Sequence, residues 1–146
     1  MQAKLTLLKA ELASLELAAQ HLRFSIARCD GFASWQPPTP EQLERLESLS
    51  ARFARLADLL IQRIFRLIDD IELVGSSTVL DRIYRAEKRG WCVASDLIRI
   101  RELRNTIAHE YASEAMAEMY TSIAAFSEIL LQAAQQTING AQAHLK

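Results

Sequence analysis

The chain has 146 residues, half of them apolar, enough for one domain with a sizeable core. Charged residues make up 24% and the net charge is −1, which argues against a protein that coats nucleic acid by bulk charge. Local charge is uneven: residues 81–104 carry seven Lys/Arg and four Asp/Glu, whereas residues 105–146 carry one and four.

The first predicted element is a helix over about residues 3–29. Leu5, Leu8, Leu12, Leu15, Ala19, Leu22 and Ile26 alternate spacings of three and four, a heptad stripe. Asp30-Gly31 ends it. Residues 31–40 form a proline-rich loop that cannot continue a helix, and Trp35 is expected to fold back onto the bundle. Helix two starts with Thr39 as N-cap and Pro40 in the first turn. Its apolar line is Leu46, Leu49, Phe53, Leu56, Leu60, Leu67 and Ile71, with a possible shift at Arg63-Ile64. Extended to Val74 and stopped by Gly75, it would be about 50 Å long.

Ser77 or Thr78 caps helix three, whose expected apolar side is Val79, Leu80, Ile83 and Tyr84 and whose end is Gly90. Ser95 is expected to cap helix four. Helix five runs from about Ser113 and frays near Gly140, burying Met116, Met119, Tyr120, Ile123, Phe126, Leu130 and Ala134. No β-type alternation is present. The expected fold is all-α, a five-helix and mostly antiparallel bundle, as a single domain over residues 1–146.

No apolar run reaches the roughly 18 residues of a membrane span. Lys4, Lys9, Glu11 and Glu16 interrupt the N-terminal region where a leader would be apolar. Cys29 and Cys92 form no CxxC pair and read as reduced thiols. A cytoplasmic protein is expected. The three histidines are scattered and lack carboxylates at ligand spacing, and no phosphate-cradling glycine loop is present. No metal and no cofactor are therefore expected. His21 and His144 read as structural or solvated.

Helix four carries the chemistry, in "RELRNTIAHEYA", residues 101–112. On a wheel with Leu103 at zero, Ile100 and Ile107 fall within about 60° and face the core. Arg101, Arg104, Asn105, Ala108 and His109 centre on the opposite side, about 170° away. Such a face is either a solvated surface or a surface that meets a second copy of itself, with Ala108 permitting close approach. Histidine exchanges protons near neutral pH, and the arginine fork matches two phosphate oxygens. Together they suffice for attack of an RNA 2′-hydroxyl on the adjacent phosphate without a metal. Arg104 and His109 are about 140° apart on one helix, so they converge only through a bend or a partner chain. With three histidines in a chain rich in arginine, some His with an Arg five positions ahead arises by chance about one time in four, so the bare spacing is weak. Arg82, Arg85, Lys88 and Arg89 either extend a track for RNA or form a solvated helix end suited to its dipole.

The longer string Arg104-Asn105-Thr106-Ile107-Ala108-His109-Glu110-Tyr111 resembles the RN-x-x-A-H-x-Y signature of HEPN domains, and most closely the HepT-like toxins. The five-helix plan and the turn with Gly90, Trp91 and Asp96 ahead of the motif agree with it. The resemblance implies a homodimeric, metal-independent endoribonuclease, the toxin of a toxin–antitoxin pair, with a composite site between protomers. It would make Arg104 the phosphate-stabilising group and His109 the general acid/base, with Asn105 orienting them. Arg101, which the wheel puts on the same face, is a further candidate for RNA binding. Tyr111 would be the tyrosine to which a nucleotidyltransferase antitoxin transfers AMP. Relatives of this fold serve instead as a non-catalytic, substrate-binding adaptor subunit of a small nucleotidyltransferase, and that alternative stays open. The heptad-like first two helices leave room for an assembly larger than a dimer.

Overall fold

A computed structural model gives the fold. It describes the backbone of residues 1–109 and 113–146, and the side chains of these residues except 109 and 113–115. The described residues form helices and no strand. The all-α expectation is correct.

Helix α1 (Gln2–Arg28) buries the predicted stripe: Leu8, Leu12, Leu15, Ala19 and Leu22 are in the core, and Leu5 and Ile26 lie at its edge. Trp35 packs onto the core from the loop, as expected. Helix α2 (Pro40–Ala57) opens with a capping box. Thr39 Oγ1 accepts from the Gln42 backbone N–H (3.2 Å), and the Thr39 N–H donates to Gln42 Oε1 (2.9 Å). Helical dihedrals persist through Ala57 and Ile64, so α2, a π-helical segment (Asp58–Ile64) and α3 (Phe65–Ile71) make one rod. The expected shift of the apolar line at Arg63-Ile64 falls at the end of this π segment. Its wider turns shift the apolar line, so that Leu60, Ile61 and Ile64 within it and Phe65 and Ile68 after it are all buried. This half of the rod is apolar on most sides because it packs against α1 on one side and against the short helix over Val79–Lys88 on another.

The rod is shorter than expected. It stops at Ile71, because Leu73 takes a left-handed φ of 60° and the Val74 N–H bonds back to the Asp69 carbonyl (2.9 Å). Gly75 is not the stop. Helix α4 (Val79–Lys88) is capped by Thr78, whose Oγ1 accepts from the Asp81 N–H at 3.1 Å. Its apolar side differs from the expected one. Ile83 is buried and Ala86 joins it, but Leu80 and Tyr84 are exposed, since a short helix lying across the rod meets it along a narrow line.

Helix α5 (Ala94–His109) starts one residue before the expected Ser95 cap. The Glu87 carboxylate takes the capping role, accepting from the Ala94 N–H at 2.7 Å, and its charge suits the positive end of the helix. Helix α6 (Ser113–Ala141) runs past Gly140 and into a short 3-10 turn (Gln142–Leu145). Gly140 does not mark fraying. Its backbone lies against the Trp91 indole, and a Cβ there would clash with the ring at Nε1.

Long-range bonds show how the helices run. Cys29 Sγ donates to the Arg45 carbonyl, Arg52 Nη1 donates to the His21 carbonyl, and Arg63 faces Glu11. As numbers fall along α1 they rise along the rod, so the two are antiparallel. The end of α6 lies beside Trp91, just ahead of α5, so these two are antiparallel as well. No described helix is long and apolar enough to cross a membrane.

Candidate functional site

The predicted wheel of α5 agrees with its burial. Leu97, Ile100 and Leu103 are in the core and Ile107 is half-buried. Asn105, Thr106 and Ala108 are exposed, whereas Arg101 and Arg104 are half-buried. The cationic face is thus a surface, with Arg104 at its border against the rod.

Arg104 is held there. Its Nε lies 2.9 Å from Asp58 Oδ1 and its Nη2 lies 3.0 Å from Oδ2, a side-on, two-point pair. The hydrogen bonds that Arg104 donates to Asp58 raise the Arg104 pKa above the ordinary arginine value. A guanidinium is planar with five donors, and Asp58 takes those of one edge. The other edge points away from the carboxylate. Asp58 is the first residue of the π segment, and such segments often occur where a helix must aim a side chain. Sequence reasoning missed Asp58. The available signal was a lone carboxylate within the apolar run "LADLLIQRI".

Arg104 and Asp58 lie in a groove between the rod and α5, together with Ala51, Ala54, Arg55 and Arg63. Arg55 is exposed, and the Arg63 side chain is 67% exposed, 3.9 Å from Glu11. Neither arginine stands out in the sequence as a site residue: Arg55 reads as an ordinary solvated position, and Arg63 only as a point where the apolar line could shift.

The cations of α4 are arranged differently. Asp69, only 3% exposed, receives Arg85 Nη2 at 2.7 Å and Nε at 3.1 Å, and Arg89 Nη2 at 3.3 Å. Arg89 also reaches Glu72 and lies over the Trp91 ring, 5.2 Å from its centroid. Arg82 donates to the Ser77 carbonyl, while Lys88 is exposed. Arg85 and Arg89 therefore tie α4 to the end of the rod, which differs from the solvated helix end weighed for this cluster.

His144 joins the same network, with Nε2 3.2 Å from Glu72 Oε2, rather than sitting in a frayed tail. Burial pushes the Glu72 carboxyl up, but the Arg89 and His144 hydrogen bonds and charges outweigh it and hold the group below its ordinary value. His21 is exposed. Burial, with Glu87 and Asp96 nearby, pushes the Cys92 thiol up to about 12. Burial also raises the Cys29 thiol. Both thiols are free.

Among the described residues, no three His, Cys, Asp or Glu side chains gather as a metal site would require. Of the motif residues, Arg101, Arg104 and Asn105 are placed on one helix face. His109 ends α5, and its side chain, like all of Tyr111, lies outside the described residues. In comparisons with known proteins, the chain matches no protein-family model, no curated protein and no solved structure.

Proposed function

We propose that the chain is a metal-independent endoribonuclease of the HEPN kind, acting as a cytoplasmic homodimer and as the toxin of a toxin–antitoxin pair. The observation that carries this reading is the aimed arginine. Arg104, on the motif helix, borders an open groove and is fixed by Asp58 through one edge of its fork. A fixed cation at a groove suits the charge that builds on a pentacoordinate phosphorus.

In the proposed reaction, His109 takes the proton of an RNA 2′-hydroxyl. The 2′-oxygen forms a bond to phosphorus as the bond to the 5′-oxygen breaks, and a second histidine or a water returns a proton to that oxygen. The products are a 2′,3′-cyclic phosphate and a 5′-hydroxyl. Arg104 and His109 lie about 140° apart on the helix, so a second chain supplies the missing partner across a twofold axis. The exposed Ala108 suits such an approach. Asn105 and Arg101 share the face and orient or attract the substrate. A nucleotidyltransferase antitoxin transferring AMP to Tyr111 would place an anion at the cleft edge, where it competes with RNA phosphate for Arg104.

One observation favours a second reading. A guanidinium already paired with Asp58 attracts phosphate less than a free one, which suits a non-catalytic adaptor subunit of a nucleotidyltransferase. Induced expression of the chain alone, with cleavage of added RNA by the purified protein, separates the two. The ribonuclease reading expects growth arrest and cleavage that persist in EDTA and vanish in His109→Ala and Arg104→Ala. Cleavage that needs a metal or survives His109→Ala overturns it. A folded chain that cleaves no RNA but binds a nucleotidyltransferase supports the adaptor.

A further inference from the structure

We propose that the groove between the rod and α5 is a phosphate track for single-stranded RNA, in which Arg55 and Arg63 hold the phosphates on either side of the one at Arg104. This rests on the ribonuclease reading for the identity of the ligand. The geometry is independent of it.

Three arginines and one carboxylate line the groove, and that carboxylate is committed to Arg104. Arg55 and Arg63 are eight residues apart on one rod, no more than about 12 Å along the axis, since the π turns between them rise less per residue than an α-helix. Asp58 lies between them in sequence, so Arg104, bound to Asp58, is flanked on both sides. Ala51 and Ala54 give that side of the helix a low relief, so a backbone can approach closely.

The arginines of this groove and those at α4 differ in how their charge is used. Arg85 and Arg89 face a carboxylate that is 3% exposed, and withdrawing them would leave that charge buried and uncompensated. Arg63 has only a loose contact with Glu11 at 3.9 Å on a largely exposed side chain, and can exchange it for a phosphate. Arg55 is exposed. The groove therefore offers available cations where α4 does not.

A single strand is the form that fits. Attack by the 2′-oxygen needs it in line with the leaving 5′-oxygen, and the stacked geometry of an A-form duplex holds it away from that line. Contacts limited to phosphates position the chain without reading bases, so binding through this track tolerates sequence changes.

The test is equilibrium binding of a short labelled single-stranded RNA to the full-length chain carrying His109→Ala, followed by anisotropy across a salt series. In a separate assay, cleavage is measured with His109 intact. Arg55→Ala and Arg63→Ala are each expected to weaken binding and to reduce the salt slope by about 0.7, with the double variant losing about twice that. Arg55→Lys keeps the slope, because it keeps the charge. Lys9→Ala, at an exposed position on α1, is the control and leaves binding unchanged.

An unchanged slope in the double variant overturns the track, as does loss only in Lys88→Ala. Binding of an acidic peptide in preference to RNA, with the same arginine dependence, overturns the assignment of RNA. If the chain binds RNA with the expected losses but never cleaves it, the track stands and the ribonuclease reading falls. If it cleaves and the variants bind as before, the track falls and that reading stands.

Discussion

Asp58 and Arg104, 46 residues apart in sequence, meet side-on through three N–H···O contacts of 2.9 to 3.1 Å. Their side chains remain 45% and 32% exposed. An ion pair so open to solvent contributes about 0–1 kcal/mol to stability. Its consequence is therefore expected in function. Asp58→Asn should unfold within about 1 kcal/mol of the parent in urea. It releases the Arg104 fork from its fixed direction while leaving it less neutralised. On the ribonuclease reading, kcat falls about tenfold while KM stays level or drops, a split that a purely structural role would not produce. Asp58→Glu, which retains the charge, should recover part of kcat.

Gly140 and Trp91 form a contact with no slack. Trp91 is buried and lies 6.4 Å from Phe65, centroid to centroid, so it cannot swing away without opening the core. Gly140→Ala puts a methyl group into the indole and should cost about 1–3 kcal/mol by overpacking. Chemical unfolding measures the loss. In a Trp35→Phe background, the fluorescence of Trp91 alone should shift to the red if the ring is pushed outward. An unchanged midpoint and spectrum would show that the ring has space after all.

Asp69 is the charged group with most at stake in the fold. It is 3% exposed and receives two arginines from α4. Asp69→Ala strands both guanidinium groups and should destabilise by about 3–5 kcal/mol. A variant that also replaces Arg85 and Arg89 with methionine removes the stranded charges and should recover much of that. Failure of the triple variant to recover would mean the cluster does more than balance charge.

The pH dependence of stability follows from Glu72. Its folded pKa lies below the ordinary value because Arg89 and His144 outweigh burial. A depressed carboxylate adds stability that is present above the unfolded value of about 4.3 and is lost as pH falls through the folded pKa. Stability should therefore decline below about pH 4.3. Glu72→Gln should flatten part of that decline, read as urea midpoints between acidic and neutral buffer. The group is partly exposed, so the contribution should shrink in high salt.

Leu73 holds a left-handed backbone with its side chain 79% exposed. That conformation costs an L-residue about 1–2 kcal/mol, while glycine adds about 0.5–1 kcal/mol of unfolded-state freedom. Leu73→Gly should therefore gain about 0.5 kcal/mol net, raising Tm by a degree or two. A lower Tm would mean the leucine makes a contact that outweighs its backbone cost.

Much of the architecture is local and hence readable without coordinates. The stripe of α1, the Thr39 and Thr78 caps and the polar face of α5 all follow from spacing within a turn or two. Errors arose where a neighbour decided. Leu80 and Tyr84 fit an apolar side but remain largely exposed, and Ser95 yields its capping role to a carboxylate from the preceding helix.

The candidate site divides in the same way. The sequence by itself determined the helical class and the residue types and order of the motif, because helical periodicity is a property of the chain alone. Only the tertiary structure decided that Arg104 is gripped by Asp58, that Arg85 and Arg89 serve a buried carboxylate, and that Arg55 and Arg63 border the groove. Those are contacts between segments far apart in sequence, and a charge is steered by whichever partner the packing of the rod and its neighbours brings within hydrogen-bond reach.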